Sequence, residues 1–595
     1  MSKSTYNPTW DLEVIFPGGS GSKEFRTYLV NVQEETRSLK KLIESFQPDT
    51  GKVDADKLVS IVEQFEDVRK KMREASAFIS CLSAQDVKDK EASLLVGKRS
   101  EISAEMNAVK TLLDQKISII NDSTWKELLR NPALKELEFV LNEYREKAKE
   151  LLPSEQEMLI NDLAVDGYHG WSQMYDTIVG NMEVEIDENG EQKSYSVGQA
   201  SNKMSSPDRS VRKHVFEQLN QAWGSNADLF GQTLNHLAGF RLQKYKHRNW
   251  QHVLKEPLAI NRMKKETLDA MWEAINKNKH HFVKFLQKKA DLLGLEKLSI
   301  YDIGAPVSKS VKTSSYTEGA NFIVDQFGEF SPKMADFARI AFENRWIEAE
   351  DRAGKRPGGF CTSFPQSEQT RIFMTYSGTS SNIATLAHEL GHGFHQYVMN
   401  DLNGLNQGYA MNVAETASTF AEMIVADASV RNAKNKEEKL ALLEDKIQRS
   451  VAFFMNIHAR FIFEQRFYEE RKQGMVSVDR MNELMVEAQK EAYCDSLDEY
   501  DPHFWASKLH FHITGVPFYN FPYTFGYLFS LGIYAHAQEL GGGFEDDYIA
   551  LLRDTGRMTV ESLAKKHLNV DLTQPEFWEN AIQLCVRDVE EFMAL

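Results

Sequence analysis

Between Lys57 and Ile79 the chain reads KLVSIVEQFEDVRKKMREASAFI, with apolar residues at Leu58, Val62, Phe65, Val68 and Met72. Steps of three and four residues line one face of an α-helix. The same period runs from about Lys23 to Ile120 with almost no proline. It predicts long helices packed as antiparallel hairpins. Near Asn181 the period changes. NMEVEIDENGEQKSYSV alternates, and Asn189-Gly190 in its middle predicts the turn of a β-hairpin. Helical spacing returns near Pro207, so a domain boundary is expected close to residue 200. It divides an N-terminal helical domain (1–200) from a second domain (201–595).

From about 208 to 350 the pattern is helical again. EDRAGKRPGGFCTSFPQSEQTRIFMTYSG, beginning at Glu350, is dense in Gly, Pro and Ser. It holds one clear strand candidate, TRIFMTY, followed by a Ser/Gly/Asn-rich turn and an apolar helix. Helices are expected from 383 to about 490. DPHFWASKLHFHITGVPFYNFPYTFGYLF then reads as a loop followed by a helix. The last 60 residues or so are helical, interrupted at ELGGGFED. The class expected is mainly α with a small β element.

Composition narrows the field. At 595 residues the chain exceeds one ordinary core. Its net charge of -17, without a dense Lys/Arg cluster, argues against nucleic acid as a partner. Cys81, Cys361, Cys494 and Cys585 are too scattered for a disulfide framework or a thiolate metal site. The first residues contain no apolar segment of signal-peptide length, and no apolar run is long enough to span a membrane. A cytoplasmic protein with no membrane partner is the expectation. Oligomeric state is not legible.

The chemistry gathers in NIATLAHELGHGFHQY, Asn382 to Tyr397. His388-Glu389-Leu390-Gly391-His392 is an H-E-x-x-H pattern. Residues four apart lie about 40° around a helix and about 6 Å along it, so both imidazoles can converge on one ion. Glu389 can then reach a water at that ion. His395 lies about 10.5 Å from His388 along the axis, too far to join them. Gly391 and Gly393 each cost a helix about 1 kcal/mol relative to Ala. A close approach by another backbone or by a substrate would account for them. The strand candidate just before this helix would set a sheet edge near the ion, where an extended peptide could pair.

A catalytic zinc takes three protein ligands. Glu415 in MNVAETASTFAEMIVADASV is the best candidate for the third, 23 residues past His392 and set among small residues. The competing reading is a solvated glutamate in the first helical turn. Asn412 could cap that helix. Glu422, on the same face as Glu415, could orient a ligand.

These motifs resemble those of the oligoendopeptidase F group in the thimet oligopeptidase-like family of zinc metallopeptidases. H-E-x-G-H-x-x-H matches His388, Glu389, Gly391, His392 and His395. ETAS supplies Glu415, and KRPGGFC from Lys355 to Cys361 matches a family loop. The C-terminal H-x4-PFY-x3-Y motif matches His512, Tyr519 and Tyr523, with Tyr527 in the following FGYL. WDLEVIFP from Trp10 is similar as well. Phe521 stands where the family often has tyrosine, and His510 lies two residues before His512. The resemblance implies a gluzincin with one Zn2+ on His388, His392 and Glu415. It implies an elongated two-lobed helical body with a deep central channel, and makes the second domain the catalytic one. It also implies Glu389 as general base, with His512, Tyr519, Tyr523 and Tyr527 as donors to the oxyanion. The activity implied is hydrolysis of internal bonds in short unstructured oligopeptides. A metallocarboxypeptidase or dipeptidyl carboxypeptidase of related type is the alternative. A non-enzymatic peptide-binding scaffold is less consistent with an intact Glu389.

Overall fold

The three-four periodicity of the N-terminal region becomes three long helices, Lys23–Ser45, Ala55–Gln85 and Lys90–Ser118. They are seen in a computed structural model that describes residues 5–48, 53–188, 190–308, 313–540 and 543–595. Each helix starts on a side-chain cap. Ser22, Asp54 and Asp89 accept from the backbone N–H of Phe25, Lys57 and Ala92, each worth about 1 kcal/mol. Leu58, Val62, Phe65 and Val68 of the second helix form one core with Leu39 and Ile43 of the first and Met106, Val109 and Leu113 of the third. The periodic stripe therefore became a buried seam.

The alternating stretch forms an antiparallel hairpin, β1 (Glu183–Glu188) with β2 (Glu191–Ser196). Val184 and Ile186 are buried while Glu183 and Glu185 face outward. Asn189 lies outside the described residues, and Gly190 adopts the left-handed backbone, φ 86°, that such turns favour. Gly541 and Gly542 of ELGGGFED also lie outside the described residues. The flanking helices are Phe521–Leu540 and Phe544–Asp554.

A second sheet has three strands, β3 (Ile347–Glu348), β4 (Phe360–Phe364) and β5 (Gln369–Phe373), in the order β3-β5-β4. β3 runs parallel and β4 antiparallel to β5. The strand predicted at TRIFMTY is thus the central one, paired on both sides. The edges are β3 and β4, and β4 comes from a stretch whose Pro-Gly-Gly lead-in reads as loop. Phe364 and Phe373 join Trp10, Phe16, Phe25 and Phe78 in one core, so the sheet is packed directly against the N-terminal helices. The segment before them is sewn to the sheet. Asp11 N–H donates to Arg345 O at 2.8 Å and Ala349 N–H donates to Pro8 O at 2.6 Å.

Three helices follow the sheet in importance: the motif helix Ser380–Tyr397, the glutamate helix Met411–Arg431 and the tyrosine helix Phe521–Leu540. The glutamate helix packs between the other two. The fold is mainly α, and among the described residues no helix is long and apolar enough to cross a membrane.

Candidate metal centre

The motif helix begins on a capping box, with Thr379 accepting from Asn382 N–H and Asn382 reaching back to Thr379. This fixes its first turn two turns before His388. The glutamate helix begins differently from the expectation. Ala410 is its N-cap, and Asn412 lies inside, buried. The Asn412 N–H, free at a helix start, donates to Asn261 Oδ1 at 3.2 Å. A neighbouring side chain does the work that Asn412 was expected to do.

From these two helices His388, His392 and Glu415 converge, with one ligand atom from each lying within 4.8 Å of the others. His388 Nε2 is 3.2 Å and His392 Nε2 is 3.6 Å from Glu415 Oε2. Two imidazole nitrogens and a carboxylate oxygen are the donor set of a catalytic zinc site. Burial pushes His392 down to about 4, helped by His388, so its ring is neutral at pH 7. Burial works against ionisation of Glu415, but its hydrogen bond with His388, the adjoining imidazoles and the Ser418 hydroxyl outweigh it, to about 2. Neutral imidazole and ionised carboxylate are the metal-binding forms. The second ring nitrogen of His388 lies 3.0 Å from Glu422 Oε2, and Arg449 pairs with the same glutamate. That hydrogen bond occupies one ring nitrogen and leaves Nε2, on the Glu415 side, as the atom a metal could use.

The helix glycines are explained by contact. A Cβ on Gly391 would lie 2.4 Å from Ala417 O and 2.5 Å from Ser418 Cα, so the glutamate helix passes against it backbone to backbone. A Cβ on Gly393 would meet the Phe337 ring at 2.7 Å. Gly526 of the tyrosine helix repeats the device, since a Cβ there would lie 2.9 Å from Asn412 O and Glu415 Cβ. Gly391→Ala is therefore expected to cost about 1–3 kcal/mol by forcing the two helices apart. Chemical denaturation and a metal-binding titration should both register it. A wild-type midpoint with unchanged affinity would contradict this packing.

Glu389 is 7% exposed, and among the described residues its Oε2 has no hydrogen-bond partner. Burial raises its carboxyl to about 7. Gly359 of the Lys355–Cys361 loop comes near it, since a Cβ there would lie 3.5 Å from Glu389 Oε1. Lys355 anchors this loop by donating to Glu350 O and Met374 O, both at 2.7 Å.

Two cavities meet at these residues. One of about 620 Å³ is lined by His388, Glu389, Glu415, Glu422, Tyr523 and Tyr527. The other, about 820 Å³, shares His388, Glu389 and Glu415 and adds His392 and the edge strand β4. The C-terminal candidates divide. Tyr523 is half-buried, and Tyr519 stands behind it with ring centroids 5.8 Å apart. The Tyr527 hydroxyl is engaged with Ser450 Oγ at 2.9 Å, and its ring is buried. His512 is fully buried, stacked on Tyr175 at 4.0 Å, and lines neither cavity. His510 lies nearer the tyrosines, 5.2 Å from the Tyr519 ring. His395 is buried too, with Nε2 2.8 Å from Thr555 Oγ1 and its ring on Tyr409.

Comparison with known proteins places this geometry. The model for peptidase family M3 matches residues 202–584, well over half the chain. The chain belongs to peptidase family M3. A second model, described as oligopeptidase F, matches residues 117–183 of this M3 peptidase. It is 23% identical to oligopeptidase PepF of Bacillus subtilis, over 99% of this chain and 87% of that one. It is 24% identical to an oligoendopeptidase F homolog of Lactococcus lactis, over 99% and 97%. Its fold matches the crystal structure of a Chlamydophila abortus protein described as a peptidase. The TM-score is 0.81 at 18% identity, covering 100% and 99% of the two chains. The M3 peptidase is a metalloendopeptidase, a hydrolase with peptide substrates. Sequence reasoning missed the edge role of β4 and two arginines, Arg69 and Arg73, that line the larger cavity. Nothing in their helical spacing separates them from a solvated face.

Proposed function

We propose that this M3 peptidase is a zinc-dependent endopeptidase that hydrolyses internal bonds of short, unstructured peptides. The observation that carries this reading is the convergence of His388, His392 and Glu415 beside a buried Glu389 oxygen that has no partner among the described residues. Zn2+ held by those three side chains would polarise the scissile carbonyl and a water. Glu389 Oε2 takes the proton of the attacking water and delivers it to the leaving amine. Burial raises this carboxyl, and the charge of a bound Zn2+ would draw it back down, so that it accepts the proton of the water. Glu422 holds the His388 ring, and β4 offers its free edge to an extended peptide.

Tyr523 is the residue best placed to donate to the developing oxyanion, because it lines the cavity that contains His388 and Glu415. Tyr519 supports it from behind. The buried positions of His512 and the Tyr527 hydroxyl suit them to holding the surrounding chain. Tyr523→Phe is expected to lower kcat by about 10²–10³-fold with little change in metal content. A single-turnover rate like that of the wild type would remove the tyrosine from the chemistry. The reading as a whole is tested on an internally quenched peptide with an amidated C-terminus. Internal cleavage, identified by product mass and abolished by a chelator, is the expected result. Absence of internal cleavage in zinc-replete protein would overturn it.

A further inference from the structure

The wall facing the motif helix carries two arginines that have no carboxylate partner among the described residues. Arg69 and Arg73 lie one turn apart on the Ala55–Gln85 helix, and both line the larger cavity with the metal ligands. Arg73 donates to Ser363 Oγ of β4 at 3.0 Å and to Gln396 Oε1 of the motif helix at 3.3 Å. Arg69 donates to the Tyr144 hydroxyl at 3.0 Å. Every one of these acceptors is neutral. The lysines between them are paired, Lys70 with Glu66 and Lys71 with Glu35 and Asp67. Among the described residues neither arginine forms an ion pair. Burial, with the charge of Arg69, lowers the pKa of Arg73. Both side chains are half-buried, and a partly dehydrated cation without a counter-ion gains from an anion that reaches it.

Peptides bring one kind of anion, the carboxylate, whose two oxygens fit the guanidinium fork. The position is constrained as well. Gln396 follows the ligand His392 by one helical turn, about 6 Å along the axis. Ser363 follows Gly359, which lies against Glu389, by a strand length of about 13 Å. Two to four extended residues, roughly, span that interval.

We propose that Arg69 and Arg73 form a carboxylate subsite, so that the enzyme prefers peptides bearing a carboxylate about two to four residues from the cleaved bond. The group is an Asp or Glu side chain or the free C-terminus. This rests on the peptidase reading above.

The test uses the full chain loaded with zinc and a matched set of quenched peptides. One is neutral and amidated, a second series places a single glutamate at successive positions, and a third leaves the C-terminus free. The quantity read is the ratio of kcat/KM for each acidic peptide to that for the neutral one. The expected ratio is roughly 10- to 100-fold at one register. It should fall toward unity in Arg73→Gln and Arg69→Gln, mainly through KM, and be partly kept in Arg73→Lys. In the wild type alone it should shrink as salt is raised, a readout independent of any variant's folding. A gain confined to the glutamate series assigns a side-chain carboxylate, and one confined to the free acid assigns the C-terminus. A flat ratio with the neutral peptide cleaved overturns the subsite alone, as does a ratio that survives both substitutions. Failure to cleave any peptide overturns the peptidase reading beneath it.

Discussion

Glu389→Gln is expected to lower kcat for peptide cleavage by about 10²–10⁴-fold while leaving metal content unchanged. The amide has the shape of the carboxylate but cannot take a proton from water. Among the described residues the wild-type Oε2 makes no hydrogen bond, so replacing that oxygen breaks none. Its helix neighbours His388 and His392 should keep their positions. The change should therefore appear in kcat, with KM and thermal stability close to wild type. A quenched-peptide assay beside elemental analysis on the same sample decides the matter. Wild-type turnover in Glu389→Gln would end the proposed proton-transfer role.

Glu415→Ala is expected to show the complementary defect, loss of the metal itself and of activity with it. Two histidines one turn apart would remain, too few to hold zinc in a closed set of three ligands. The substitution also strands Ser418, whose hydroxyl donates to Glu415 Oε2 at 2.8 Å. After dialysis against a chelator and return of zinc, elemental analysis should find metal near background. Full occupancy would move the third ligand to another side chain. The two variants are most informative as a pair, since one should be loaded and inactive and the other empty.

Much of this was legible in the sequence because the informative patterns are local. The helix seam at Leu58 to Met72 repeats every turn, and the hairpin at 183–196 alternates around a turn pair. His388 and His392 share a helix face by spacing alone. What was not legible depends on distant neighbours. β3 is two residues long and β4 follows Pro-Gly-Gly, so neither has a pattern of its own. They are strands because β5 runs between them. Asn412 looked like a cap because nothing nearby reveals that Asn261 supplies the oxygen. His512 carries a motif that pointed to the chemistry, while its packing against Tyr175 is visible only in three dimensions. Arg69 and Arg73 look like a solvated face until the sheet and the motif helix close over them.

The glycine contacts have a consequence for how this chain can drift. At Gly391 and Gly526 even a methyl group would strike a neighbouring backbone, although a glycine has no side chain that could react. A saturation scan read by survival alone should rank both beside His388, His392 and Glu415. Intolerance in this region will therefore overcount the chemically active positions. A survey seeking catalytic residues from mutational sensitivity needs a second axis, folded yield, to separate the side chains that react from the places where no side chain fits.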